Sequence, residues 1–234
     1  MELDLRERYA RLQADLADAA RAAGRSPGEI TIVAVTKKQP PEVIAAALAA
    51  GITDFGENYL QEARTKFPCH PEPVEGRVRK HFIGHVQTNK AKAIVQTFDV
   101  VQSVDRIEAG RALARAARDL GKTLPILIQL NVSPAERFGC PPEQAPALAE
   151  ALRAEPGLLV AGVMAIGPLT ADRDALERSF ALAAKTFERV GGTILSIGMS
   201  GDWREAVRWG STMIRVGTAL FGQRPAAPLI GAKN

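Results

Sequence analysis

The chain has 234 residues, of which 24% are charged, 46% hydrophobic and 5% aromatic, with 30 Lys and Arg against 26 Asp and Glu for a formal charge of +4. That composition excludes disordered and collagen-like chains, and a chain this long buries about 70–75% of its unfolded surface without a disulfide or metal staple. Acids and bases alternate along it, as in Arg173-Asp174-Ala175-Leu176-Glu177-Arg178, which marks solvated helix faces and argues against a nucleic-acid partner. No apolar run nears the roughly 18–20 residues of a membrane span, and the acidic start Met1-Glu2-Leu3-Asp4-Leu5 is unlike a signal peptide. The expected compartment is the cytoplasm, with Cys69 and Cys140 as reduced thiols and no membrane partner.

Leu5, Leu12, Leu16 and Ala19 recur at helical spacing and predict an amphipathic helix over 3–23, ending near Gly24. After the turn Ser26-Pro27-Gly28, the run Ile30-Thr31-Ile32-Val33-Ala34-Val35-Thr36 lacks polar alternation, as expected of a parallel strand buried on both faces. A helix from Pro41 to Ala50 follows, with Gly51 as its stop. The unit then recurs: strands are expected at 54–56, 80–84, 100–103, 125–130, 158–163, 193–196 and 212–216, with helices over 88–96, 105–120, 142–154, 173–190 and 203–209. Eight strands alternating with helices predict an α/β fold, a (β/α)8 TIM-type barrel with one extra N-terminal helix. A doubly wound sheet fits less well, because no strand leads into a Gly-x-Gly-x-x-Gly turn. Residues 1–234 read as a single domain, with its opening helix within 1–24 and a tail at 225–234. The segment 68–77, with three prolines, reads as an irregular loop.

Such barrels do their chemistry at the C-terminal rim of the strands. Lys37, just past the first strand, shares its side with Val33 and Val35, while Lys38 shares the other with Ala34 and Thr36. If the valines face the barrel interior, Lys37 stands at its mouth, where partial desolvation lowers an amine's pKa and favours Schiff-base chemistry. The alternative is a rim lysine that simply reaches water. At the far end, the loops Gly198-Met199-Ser200-Gly201-Asp202 and Arg215-Val216-Gly217-Thr218 follow strands seven and eight, where barrels of this kind often bind phosphate. Ser200 and Thr218 add hydroxyl donors, and Gly201 and Gly217 permit close approach of the backbone. Together with the lysine, these loops describe a site for a phosphorylated carbonyl compound, and pyridoxal 5′-phosphate (PLP) fits that description. Cys69, His70, His81 and His85 lack the spacing of a zinc site, so no metal is expected.

The strings Ala34-Val35-Thr36-Lys37, Phe55-Gly56-Glu57-Asn58-Tyr59, His81-Phe82-Ile83-Gly84-His85, Met164-Ala165-Ile166, Gly198-Met199-Ser200 and Ile214-Arg215-Val216-Gly217-Thr218 resemble the YggS/PROSC family, the pyridoxal phosphate homeostasis proteins, over about residues 5–224. The resemblance implies a barrel related to the N-terminal domain of alanine racemase, with PLP on Lys37 as a Schiff base. It further implies that Ser200, Gly217 and Thr218 bind the phosphate, that Arg215 faces the pyridine nitrogen, and that Asn58, His81 and Met164 line the ring pocket. The chain departs from the family at Lys80, where a Trp is common, and at Gln39 and Arg137, where further lysines are common; neither of these two can attach the cofactor.

Three functions follow as candidates. The resemblance favours a non-enzymatic PLP carrier, monomeric, that serves intracellular PLP homeostasis and passes PLP to apo PLP-dependent enzymes; no residue is then catalytic. The alternative enzyme is an amino-acid racemase, but the racemase relatives add a second domain that supplies a tyrosine, and Tyr9 and Tyr59 are the only tyrosines here. The third candidate is a binding module for protein or nucleic acid, which the mixed charge pattern does not favour for nucleic acid.

Overall fold

The computed structural model describes residues 4–67, 78–133, 138–168, 170 and 172–222. The Pro-rich loop, Arg137 and the tail at 225–234 lie outside these residues. The chain opens with α1 (Leu5–Ala22), whose first turn is capped by Asp4 Oδ1 accepting the Glu7 N–H at 2.8 Å. Its buried residues Leu12, Leu16 and Ala20 recur every four positions, one stripe of an amphipathic helix.

Eight strand–helix units follow: β1 (Thr31–Val35), α2 (Glu42–Ala49), β2 (Asp54–Glu57), α3 (Leu60–Lys66), β3 (Arg79–Phe82), α4 (Ala91–Thr97), β4 (Val100–Val104), α5 (Ile107–Asp119), β5 (Leu124–Leu130), α6 (Ala145–Arg153), β6 (Leu158–Ala165), α7 (Arg173–Val190), β7 (Ile194–Met199), α8 (Trp203–Arg208), β8 (Met213–Val216) and α9 (Thr218–Phe221). All strand pairs are parallel and sequential, and β1 pairs with both β2 and β8, so the sheet closes into a barrel. The expected (β/α)8 fold with its extra helix is the observed one. α1 lies against α2, α8 and α9 on the outside of the barrel.

Register decides which residues face inward. Val35, Gly56 and His81 are successive partners across β1, β2 and β3, and Val33 is the partner of Arg215 on β8. A Cβ on Gly56 would stand 3.1 Å from Val33 Cγ1 and 3.6 Å from Val35 Cγ2, so these valines share one side with it. The other side of β1 and β8 (Ala34, Ile214, Val216) packs with Leu12 and Leu16 of α1 and Trp203 of α8 in the core between strands and helices. Val33 and its cross-strand partners therefore face the barrel interior. There the fill is Val33, Leu127, Met164 and Met213, together with buried polar residues that include Asp54, His81, Gln102, Ser196 and Arg215.

The strands run two or more residues further than their sequence pattern predicts at two places. β6 continues to Ala165, and β7 to Met199 through Gly198 at φ +95°. A left-handed residue inside β7 interrupts the apolar run, which is why the sequence reads as ending near Ser196. α3 was not among the expected helices, since its short segment carries little apolar periodicity. Trp203 is buried, whereas Trp209 follows the end of α8 and is exposed.

Gly162 is where two backbones touch: its φ is +149°, and a Cβ would fall 1.9 Å from the Ile194 carbonyl oxygen. Gly162→Ala is expected to cost about 4 kcal/mol or more, read as a lower urea midpoint. Gly51→Ala, at φ +87° with open space around it, is expected to cost only about 1 kcal/mol.

Candidate functional site

At the rim, Lys37 is partly buried, while Lys38 is exposed and left-handed at φ 61°. A lysine in that conformation costs about 1–2 kcal/mol, so the surroundings must hold it there. They do so from α3. Lys66 Nζ donates to the Thr36 carbonyl at 2.6 Å, and Glu62 Oε2 accepts the Lys38 N–H at 2.6 Å. Lys66 pairs with that same Glu62 oxygen at 3.0 Å and with Glu57 Oε1 at 2.7 Å, and Thr36 Oγ1 donates to Glu57 Oε1 at 2.6 Å. The residues on both sides of Lys37 are thus tied to one ionic cluster.

Lys66 and Glu57 are almost wholly inaccessible, with side chains 3% and 0% exposed. Burial pushes the Glu57 carboxyl up, against the opposing pull of Lys66 and Thr36, and its Oε2 is buried with no hydrogen-bond partner. Burial also pushes Glu62 up, but the Lys38 N–H and Lys66 outweigh it, and its pKa falls below the usual carboxylate value.

The barrel interior carries a directed chain of hydrogen bonds. Arg215 Nη1 donates to Ser196 Oγ at 2.6 Å, Ser196 Oγ donates to Gln102 Oε1 at 2.7 Å, and Gln102 Nε2 donates to His81 Nδ1 at 3.0 Å. With Nδ1 accepting, His81 Nε2 carries the proton and donates to Asp54 Oδ1 at 2.9 Å. Arg79 Nε closes the chain on Asp54 Oδ1 at 2.8 Å. Burial raises the Asp54 pKa, but the His81 and Arg79 contacts outweigh it and the net shift is downward. Both ring nitrogens of His81 are therefore used inside the barrel. Met164 is buried in the same interior, partnered across the sheet by Gln129 and Ser196.

Arg215 is buried, and desolvation lowers its pKa to about 10, so it stays charged at neutral pH. Its Nη1 also donates to the Ser196 carbonyl at 2.8 Å and its Nη2 to the Ala165 carbonyl at 2.9 Å. A guanidinium has five N–H donors, so these bonds fix its plane and leave capacity for a further acceptor.

Beside β1, the loops after β7 and β8 form a cradle. The backbone N–H groups of Gly217 and Ala219 converge on Ser200 Oγ at 3.1 and 3.3 Å. Two amide donors aimed at one oxygen are the geometry of an anion site. Asp202 Oδ1 accepts the Met199 N–H at 2.5 Å and shapes the first loop, and burial raises its pKa. A Cβ on Gly217 would stand 3.3 Å from the Val35 carbonyl oxygen, so glycine lets the cradle close against the strand that leads to Lys37. Thr218 is exposed at its edge.

Asn58 is partly buried just past β2, and its Oδ1 is buried without a hydrogen-bond partner. It also borders a cleft of about 490 Å³ with Tyr59, Arg64, His85 and Lys90. A Cβ on Gly84 would fall 2.0 Å from the Asn58 carbonyl oxygen, so only glycine allows the loops after β2 and β3 to meet. Cys140 is buried, and its thiol is pushed up to about 11, as a structural cysteine requires.

The structure therefore brings Arg215, Met164 and His81 into one barrel interior and places Lys37, Asn58 and the Ser200–Gly217–Thr218 loops around its C-terminal end. Residue-by-residue reading missed Lys66, Asp54, Gln102 and Ser196. The usable signal was parity: Asp54, Gln102 and Ser196 are polar residues at inward positions of otherwise apolar strands.

Residues 9–225 match the family described as alanine racemase, N-terminal domain. A pyridoxal phosphate homeostasis protein of Pseudomonas aeruginosa is 41% identical over 221 residues, covering 93% of this chain and 95% of that one. The chain belongs to the pyridoxal phosphate homeostasis protein family. Among solved structures, PipY of Synechococcus elongatus with PLP bound is similar at a TM-score of 0.74 and 32% identity, covering 88% of this chain and 100% of that one. Alanine racemase of Clostridium difficile shares the fold at a TM-score of 0.72 and 12% identity, with 57% of its chain covered.

Breaking the cluster beneath Lys37 should be costly for this member of the family. Lys66→Met leaves Glu57 and Glu62 without their cation and is expected to destabilise the protein by about 3–5 kcal/mol, measured by chemical denaturation. A loss below about 1 kcal/mol would mean that the cluster does not hold the rim.

Proposed function

We propose that this chain binds pyridoxal 5′-phosphate at the barrel mouth and serves as a carrier that yields it to apo PLP-dependent enzymes. The observation that carries the reading is the convergence of the Gly217 and Ala219 N–H groups on one oxygen position, just past β8, the strand that pairs with the one leading to Lys37. The residues present fit the cofactor. Its phosphate finds amide and hydroxyl donors, the buried orphan Asn58 Oδ1 awaits a donor, and Gly217 lets the cradle close against the strand that leads to Lys37. When bound, the cofactor supplies an aldehyde able to condense with a primary amine.

In this reading Lys37 supplies that amine, and the α3 cluster fixes the peptide from which it rises. Ser200, Gly217 and Thr218 hold the phosphate. Asn58, His81 and Met164 flank the ring, with His81 acting through its ring face because both nitrogens are committed. Arg215 would offer the pyridine nitrogen a donor it cannot give up, which would keep that nitrogen unprotonated and the ring a weak electron sink. Such a site holds the cofactor without promoting loss of a substrate's α-proton. A weak electron sink favours the carrier over the racemase reading.

The phosphate assignment has its own test. Each charge-assisted hydrogen bond is worth about 1.5–3 kcal/mol, so Ser200→Ala together with Thr218→Ala should weaken PLP on the order of a hundredfold or more, and unphosphorylated pyridoxal far less. Equal losses for both ligands would place the phosphate elsewhere.

Carrier and enzyme separate in solution. The loaded protein is expected to activate an apo PLP-enzyme on mixing, and alanine incubated with it in deuterated water is expected to gain negligible α-deuterium. Stereospecific exchange with a turnover of about 1 per second or above would overturn the carrier reading.

A further inference from the structure

The loops after β2 and β3 lead towards α3 and α4, and the cleft of about 490 Å³ lies between those two segments. β3 sends His81 into the barrel and its neighbour Phe82 to the opposite side, where the Phe82 ring packs on Phe98 at 5.0 Å and shares a core with Ile94 of α4. Phe82 and Ile94 also line the cleft, which therefore stands outside the barrel wall. Lys37, Arg215 and the cradle residues Ser200, Gly217 and Thr218 do not line it. Asn58 is the one residue it shares with the proposed PLP pocket. Its walls carry two cations, Arg64 of α3 and Lys90 at the start of α4, and no carboxylate. Both are exposed, and neither side chain forms an ion pair or hydrogen bond among the described residues. The carboxamides of Gln61, Gln87 and Asn89 line the same space and are likewise unpaired among the described residues, and Tyr59 beside them is 51% exposed.

Nothing in the fold or in the carrier reading uses these groups. Two cations without a carboxylate select an anion, and a guanidinium meets phosphate oxygens in pairs. A carboxamide presents a donor beside an acceptor, which the ring nitrogens and polar substituents of a heteroaromatic compound complement. An exposed tyrosine offers a face on which such a ring stacks. The volume falls within the roughly 300–1,000 Å³ of small-molecule sites. We propose that the cleft is a second ligand site, for a phosphate monoester carried on a flat heteroaromatic ring. Arg64 and Lys90 take the phosphate, the carboxamides take the ring edge, and Tyr59 takes the ring face. Two sources share that chemistry, a nucleoside monophosphate and a phosphorylated pyridine alcohol. The site goes beyond the carrier reading, since it uses none of the residues assigned there to the phosphate or to the amine.

The test titrates AMP and, separately, pyridoxine 5′-phosphate into the full chain by calorimetry, before and after PLP has been fixed in the barrel mouth by borohydride reduction. At least one of the two is expected to bind the PLP-fixed chain as a single equivalent, with a Kd of about 1 mM or tighter. Binding of AMP assigns the cleft to nucleotides, and binding of pyridoxine 5′-phosphate to phosphorylated pyridine alcohols. The unphosphorylated compounds adenosine and pyridoxine, and ribose 5-phosphate without its base, are expected to bind about tenfold more weakly or worse. Arg64→Gln with Lys90→Gln removes no ion pair from the described residues; it is expected to weaken the ligand about tenfold or more and to leave PLP loading unchanged. Binding of neither compound, loss of binding once PLP is fixed, or equal binding in the double variant would overturn the proposal. Failure of PLP to load would instead contradict the carrier reading, and the cleft is then read on the unloaded chain with the same double variant.

Discussion

Closure of eight parallel strands into one sheet is the constraint on which the rest depends. Once β1 pairs with β8, alternation along each strand assigns every second residue to an interior that water scarcely enters. A polar group sent there must find a partner, because an unpaired buried donor or acceptor costs about 1–3 kcal/mol. The chain from Arg215 through Ser196, Gln102 and His81 to Asp54 meets that demand with each group donating to the next. It begins in a cation and reaches a carboxylate that Arg79 pairs from the other side, while Asp202 is the carboxylate that acts on Arg215. The orientation of the Arg215 guanidinium thus follows from packing in the interior.

The rim is governed by a different balance. Lys66 and Glu57 have left water, and their attraction offsets that loss with the help of Thr36 and Glu62, which satisfy Glu57 Oε1 and Lys66 while Glu57 Oε2 stays unpartnered. What the fold gains is a fixed path for residues 36–38, including the left-handed turn at Lys38. Just past the adjoining strand, the cradle holds its amide donors in place through Ser200 Oγ.

Much of this was legible in the sequence because the informative residues are local. The β-branched run at 30–36 marks a doubly buried strand, and its parity alone separates Lys37 from Lys38. The loops at 198–202 and 215–218 show their glycines and hydroxyls without any knowledge of neighbours. The partners were not legible in the same way. Lys66 lies thirty positions from the Thr36 carbonyl it meets, and Gln102 ninety-four from Ser196; pairing of β1 with β2 brings the first two together, and closure of the barrel the second two. His81 was read as part of the ring pocket, and the structure adds that its nitrogens are already engaged. The continuation of β7 through Gly198 escaped notice because a left-handed residue ordinarily ends a strand.

The central claim is that strand parity and the α3 cluster single out Lys37 as the attachment point. Borohydride reduction of the PLP-loaded protein, followed by peptide mapping, tests it most directly. The account predicts a pyridoxyl group on Lys37, with Lys38 and Lys66 unmodified. A label on Lys38, or on Lys66, would contradict it.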